Sequence, residues 1–380
     1  MNSIHCLNMN FKVCYILSDV NKALAFEWHA LKLKERGFDI HFILMNNEDS
    51  PMEKFLRENK FNVDRIKYNG KRNFFSALFK TIALLKKNKT GVISAHLLNA
   101  GLVGLFAGKL CFIKKRVYTR HHSTYHHEYA PKGVFIDKFI NFLATDIIAI
   151  SENVKKVLIE SEGVKPEKIH LIHHGFLLKE FKDVDSSRVK YLKEKYHVKS
   201  SDGPVIGVVS RYFKLKGIQY TIAAFKQLLL AYPNAKLILC GAFGPDKDYI
   251  KDCLSHLPRE KYTEIFFEED NFALYKLFDV FVHVPDNVNC EAFGQIYIEA
   301  LASGIPSVFT LSGVATEFIA DNYNALVVDY KNSDQIYHGI LKILSDDDLK
   351  NKLIENGYTS IKKDFELDMM IGKLSNLYNS

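Results

Sequence analysis

The 380-residue chain has no uninterrupted apolar run near the ~18 residues of a membrane-crossing helix, so no transmembrane segment is expected. Its opening residues, Met1-Asn2-Ser3-Ile4-His5-Cys6, lack the basic flank and apolar centre of a secretory signal. Six cysteines (Cys6, Cys14, Cys111, Cys240, Cys253, Cys290) are scattered with no C-x-x-C pair. That pattern fits reduced thiols in a cytoplasmic protein and argues against a cysteine zinc site. No nucleic-acid module is present, and aromatic residues do not alternate with basic ones as a stacking platform requires, so no nucleic-acid partner is expected. Internal repeats and low-complexity segments are also absent. No D-x-D pair stands in a metal-binding context, and Asp346-Asp347-Asp348 reads as a helix-capping turn.

What is there describes a soluble globular protein, with 47% hydrophobic and 25% charged residues. The net charge of +7 is modest and suits an anionic ligand or lipid surface. The length exceeds one ordinary core and favours two domains. Short apolar runs alternate with helical patterns, beginning with Phe11–Leu17, a helix over Lys22–Arg36 and a strand over Asp39–Met45. Runs at Val92–Ala95, Arg116–Thr119 and Ile147–Ile150 continue the series, which Leu171–Gly175 ends. Polar, Lys-rich sequence from Lys179 to Asp202 reads as the joint. A second series follows, with strands at 205–209, 236–240, 265–267, 280–284, 307–309 and 325–328. This rhythm predicts α/β architecture with two doubly wound parallel sheets. The expected division is 1–182 and 183–363, with 364–380 returning as a last helix to the first domain. Ligand is expected at the C-terminal strand edges, facing a cleft.

The stretch Cys290–Pro306 carries the most information. Gly294 is a suitable helix start, and Gly304 followed by Pro306 a suitable stop. Ile296, Tyr297, Ile298, Ala300, Leu301 and Ala302 leave no clear polar face, so burial nearly all round is expected. Glu299 sits within that segment and needs a hydrogen-bonding partner. Glu291 lies in the feeding loop, eight residues earlier. A helix opening at a strand's C-terminal edge presents free N–H groups to phosphates. Carboxylates on either side of such a seat suit a nucleotide-sugar, with hydroxyls at both ends and phosphates between. The pair could equally be structural, since two Glu at this spacing are common. Earlier, Ser210-Arg211-Tyr212-Phe213-Lys214-Leu215-Lys216-Gly217 opens a helix after the second domain's first strand. Arg211 and Lys216 place two cations where a departing diphosphate would need them, although a solvated basic loop would read the same way.

The string of Phe-Gly after Glu291 and Ala-x-Ala-x-Gly-x-Pro after Glu299, together with Arg211-x4-Lys216-Gly217, resembles the family 4 retaining glycosyltransferases. His174-Gly175-Phe176 and Gly313-x3-Glu317-Phe318-Ile319 extend the resemblance over nearly the whole chain. It implies the two-domain GT-B fold and transfer of a hexose from a nucleoside-diphosphate sugar, UDP-sugar favoured and GDP- or ADP-sugar next. The acceptor would be a carbohydrate or lipid-linked glycan, in cell-surface polysaccharide or glycolipid assembly. Arg211 and Lys216 would clamp the diphosphate, Glu291 would face the sugar, and Glu299 the ribose. Phe293, Gly294, Gln295, Ile296 and Gly241 would complete the donor side, with no metal or other cofactor required. In Tyr118-Thr119-Arg120-His121-His122-Ser123-Thr124-Tyr125-His126-His127, His121 would lie near the reacting carbon. His122 is the next candidate for that place, and His122, Arg120 and His96 would line the acceptor side. Paired histidines can ligate zinc, but this loop is read as offering no nearby Cys and no H-x3-H set, so no zinc site is expected. Whether an ion pair or a protein nucleophile intervenes stays open. The loop after the first strand, Ser18-Asp19-Val20-Asn21-Lys22, departs from the family by having no glycine. A sugar-nucleotide epimerase or hydrolase on the same scaffold, or a non-catalytic binder, are the alternatives. Intact Arg211, Lys216, Glu291 and Glu299 argue against the binder.

Lys71–Lys87 reads as a basic helix with a broad apolar face. Such a helix either lies on an anionic membrane or packs on its own sheet. A cytoplasmic location, with peripheral contact at the inner membrane face as an option, follows.

Overall fold

The computed structural model describes residues 12–199 and 201–380. The readings made on Met1–Cys6 and Phe11 lie outside them. The chain divides into two compact units, 1–175 with 367–380, and 176–366.

The first unit holds seven strands: β1 Lys12–Ser18, β2 Asp39–Met45, β3 Asn62–Arg65, β4 Val92–His96, β5 Lys115–Arg120, β6 Asp146–Ala149 and β7 Ile169–Leu171. All pair in parallel in the order β3-β2-β1-β4-β5-β6-β7. Helices cover both faces, which is why β1, β2 and β4 are almost wholly buried and read as continuous apolar runs. β3 was not predicted; its Asn62, Asp64 and Arg65 give a short edge strand no apolar signature. The last helix, Leu367–Asn379, packs on the helix Leu24–Glu35 of this unit. Gly175 allows this, because a Cβ there would lie 2.8 Å from Leu367 Cα.

The second unit holds six parallel strands: β8 Val205–Val209, β9 Lys236–Cys240, β10 Tyr262–Ile265, β11 Val280–His283, β12 Ser307–Phe309 and β13 Leu326–Val327. Their order is β10-β9-β8-β11-β12-β13. The strand expected at 265–267 ends instead at Ile265, and Phe266 and Phe267 are exposed. The supposed joint is also helical: Ser186–Lys195 is fixed to the second unit by Arg188 on Asp270 at 2.6 Å and Lys195 on Glu268 at 2.7 Å.

In each sheet the winding direction reverses once, between β1 and β4 and between β8 and β11. At such a reversal the loops leaving the strands diverge and open a crevice. His96 ends β4, the Arg211 loop follows β8, and His283 ends β11.

Candidate active site

In the second unit, β8 runs into a short turn, Lys214–Lys216, and then the helix Ile218–Ala231. Gly217 makes that entry possible. Its φ is +71°, and a Cβ would stand 1.8 Å from the Val284 carbonyl. The tight turn puts Lys216 Nζ 2.6 Å from Glu291 Oε1. His283 Nε2 lies 3.0 Å from the same oxygen. Burial would push the Glu291 carboxyl up; the Lys216 charge and the His283 hydrogen bond outweigh it and hold the group at about 2. Glu291 is therefore ionised, and burial keeps His283 neutral, so its Nε2–H donates to the carboxylate. Sequence reasoning did not single out His283, whose signal was a polar residue closing the apolar run Val280-Phe281-Val282.

The Glu291 backbone is fixed from the other side by Ser312, whose hydroxyl accepts its N–H at 2.9 Å. Gly313 has φ +57°, and a Cβ would come within 2.8 Å of Glu291 Cβ. Gly241 has φ +90° and lets the loop after β9 touch Ser210. Arg211 is exposed and stacks over Phe213, 5.1 Å from the ring centre.

The helix Gln295–Ala302 starts at Gly294, φ +89°, and ends at Ser303 with Gly304 in the left-handed region. Burial nearly all round was expected, and the structure corrects this. Gln295 is exposed and Ile296 and Glu299 only half-buried, so positions i, i+1 and i+4 leave one accessible stripe. Tyr297, Ile298 and Leu301 face the core. The partner Glu299 needs is the Tyr275 hydroxyl, donating at 2.8 Å. Burial pushes Glu299 up to about 7 despite that bond. Phe293 is buried against Phe176 and Phe365, which withdraws its ring from any ligand, and its carbonyl accepts the Val314 N–H at 2.9 Å.

In the first unit, His96 Nδ1 is 3.2 Å from His121 Nε2, and His121 stacks on His174. Burial and the neighbouring imidazoles hold His121 down at about 4 and push His96 well down from its ordinary value too. A hydrogen-bonded line runs back from this pair into the core. Tyr15 lies 2.8 Å from the Tyr378 hydroxyl, Tyr378 donates to Ser94 Oγ at 2.9 Å, and Ser94 Oγ is 3.1 Å from His96 Nε2. Ser94 has one hydrogen and two lone pairs, and we assign that hydrogen to His96 Nε2. The His96 ring proton then sits on Nδ1 and is donated to His121 Nε2, which leaves His121 protonated at Nδ1.

Arg120 and His122 were expected beside them, and the structure gives these two different surroundings. The Arg120 side chain is fully buried and donates to Asp137 at 3.1 Å and to Glu162. His122 and His126 reach Asp137 at 3.2 and 2.6 Å, and His127 reaches Glu162 at 3.2 Å. This corrects the reading of the histidine loop, because His122 and His126 do stand at H-x3-H spacing. With Asp137 their ligand atoms lie within 4.8 Å of one another, the one such group among the described residues. Arg120 already supplies a cation to that carboxylate, so the group is built as an ion-pair network anchoring the loop. The glycine-free loop after β1 is closed by Asp19 in the left-handed region at φ +56°, its carboxylate accepting from Asn99. Aspartate tolerates that conformation better than most side chains.

Residues 29–179 match the family model described as Glycosyltransferase Family 4, and residues 191–360 match Glycosyl transferases group 1. The capsular polysaccharide biosynthesis glycosyltransferase CapM of Staphylococcus aureus is 26% identical over 357 residues, 92% of this chain and 91% of that protein. The alpha-monoglucosyldiacylglycerol synthase of Acholeplasma laidlawii is 24% identical over 73% of this chain and 72% of its own. The crystal structure of Anabaena HepE in complex with UDP-glucose superposes with a TM-score of 0.83 at 20% identity, covering 97% of this chain and 99% of that one. Two Rossmann-like parallel-sheet units and two family matches that between them take in both agree: the chain is a glycosyltransferase, belonging to the group 1, family 4 glycosyltransferases.

Proposed function

We propose that this glycosyltransferase moves a hexose from a nucleoside-diphosphate sugar to a carbohydrate or lipid-linked glycan, with retention at the anomeric carbon. The carrying observation is the Lys216–Glu291–His283 cluster at the winding reversal of the second unit, beside the accessible stripe of the helix Gln295–Ala302. UDP-glucose in HepE favours a UDP-sugar donor, and the names of CapM and the Acholeplasma synthase favour a polysaccharide or glycolipid product.

Glu299 accepts the ribose hydroxyls, the N–H groups opening at Gly294 meet the donor's oxygens, and Arg211 and Lys216 neutralise the diphosphate as it leaves. Glu291, ionised and held by His283, lies beside the sugar carbon that gains positive charge. The anomeric C–O bond to the diphosphate breaks, the acceptor oxygen bonds from the same face, and its proton passes to a leaving phosphate oxygen. The first unit carries the acceptor side, where His121 offers its Nδ1–H to a substrate oxygen. Two side-chain cations and a helix N-terminus already serve the leaving group, so the reaction needs no metal. A thermal-shift panel of UDP-, GDP- and ADP-sugars identifies the donor, and NMR of the purified product reads its anomeric configuration. A panel with no shift, or an inverted product, counts against this reading.

A further inference from the structure

The chemistry above leaves unexplained the outer face of the first unit. The helix Phe74–Lys87 packs against the helix Leu98–Leu110, which packs against the helix Pro131–Leu143. An ordinary surface helix turns its apolar side inward. These helices also carry large aromatics outward: Phe75 and Phe79 one turn apart, and Phe135, Phe139 and Phe142 at i, i+4, i+7. Phe112, just past the middle helix, is 89% exposed, and Phe135 is 77% exposed. The outer faces are linked. Lys109 Nζ sits 4.1 Å over the Phe142 ring, Phe106 packs on Phe139, and the Cys111 thiol reaches the Ile82 carbonyl.

The sequence that carries these rings is strongly basic. Lys80, Lys87, Lys109, Lys114, Lys132 and Lys138 are exposed. Residues 69–145 contain only two carboxylates, Glu128 and Asp137, and Asp137 is buried beneath Arg120. Aromatic rings raised among lysines, with almost no carboxylate among them, complement an anionic lipid surface. The rings enter the headgroup boundary while the ammonium groups meet lipid phosphates. A water-exposed face has no physical use for so many phenylalanines, and a protein partner would not require such one-sided charge.

We propose that this three-helix face is the surface by which the chain docks, peripherally, on an anionic bilayer. The helix Pro131–Leu143 is fed directly by the His121–His127 loop, so docking would bring the acceptor-side histidines close to the bilayer surface. The inference extends the proposed use of a lipid-linked acceptor, and its test does not involve transfer.

The experiment is flotation of the full chain with vesicles of phosphatidylcholine alone and with phosphatidylglycerol added. Binding should need the anionic lipid and fall with salt. Phe79→Ser with Phe112→Ser and Phe139→Ser should abolish it while UDP binding stays at the wild-type value. Lys80→Glu and Lys138→Glu should each weaken binding about fivefold or more. Sedimentation velocity on the same proteins tests the other occupant. A stable dimer that the Phe→Ser changes dissociate, no binding to anionic vesicles, or binding that the changes leave intact would each overturn the proposal.

Discussion

Lys216 Nζ lies 2.6 Å from Glu291 Oε1, joining the turn after β8 to the loop that feeds the helix Gln295–Ala302. Two residues 75 positions apart are thus one unit, and each holds the other's charge in a largely dry site. Removing Lys216 leaves the Glu291 charge with His283 beside it but without that cation, and breaking a buried pair in this way typically costs about 3–5 kcal/mol.

Lys216→Ala should therefore act twice. Turnover should drop by about a hundredfold or more, as loss of a charge partner for the leaving group does. Arg211→Ala, whose side chain is exposed and stacked only on Phe213, should lose similar activity with almost no change in stability. Steady-state kinetics and chemical denaturation of both variants check this. Turnover within a few-fold of wild type in both would remove the clamp.

The two carboxylates should respond to pH in opposite senses. Glu291, held at about 2 against an ordinary 4.5, gives stability that is full above pH 4.5 and lost as pH falls towards 2. Glu299, raised from 4.5 to about 7, keeps its proton longer in the folded chain. Its effect is the reverse: stability falls as pH climbs from 4.5 through 7, by up to about 3 kcal/mol. Glu299→Gln should flatten that decline, so its stability relative to wild type should be greater at pH 8 than at pH 5. Parallel curves for the two proteins would show that Glu299 is not held protonated.

The direction of the Tyr15–Tyr378–Ser94–His96–His121 line predicts that both histidines carry their proton on Nδ1. Nitrogen-15 spectra of labelled protein read this directly. Tyr378→Phe and Ser94→Ala should blur the tautomer preference and lower kcat by about three- to tenfold, with donor KM unchanged. A protonated Nε2 on His121 in the wild type would reverse the assignment.

On the proposed reading Arg211, Lys216 and the helix N-terminus face the leaving group, so transfer should continue in excess EDTA. Loss of activity restored by Mn²⁺ or Mg²⁺ would contradict the proposed leaving-group chemistry.

Much of this was readable in the residues. The buried strands of parallel sheets announce themselves as apolar runs, and the Glu291–Glu299 helix by its Gly294 and Gly304 punctuation. What escaped depended on long-range packing. β3 is an edge strand with polar residues, Arg120 reads as a binding cation until Asp137 and Glu162 are seen to enclose it, and His283 becomes a partner of Glu291 only through the β8/β11 reversal. The accessible stripe of Gln295, Ile296 and Glu299 also follows from what packs on the other side of the helix rather than from its own apolar content.

The central claim divides labour between the carboxylates: Glu299 holds the unchanging ribose, and Glu291 the sugar that gains charge. Titration calorimetry of UDP, joined to donor kinetics, tests it on Glu291→Gln and Glu299→Gln. UDP should bind Glu291→Gln nearly as well as wild type, with the loss falling on kcat. It should bind Glu299→Gln about ten- to a hundredfold more weakly, with donor KM raised to match and kcat comparatively intact. Equal UDP affinity in the two variants, or loss of the same kinetic parameter, would contradict the account.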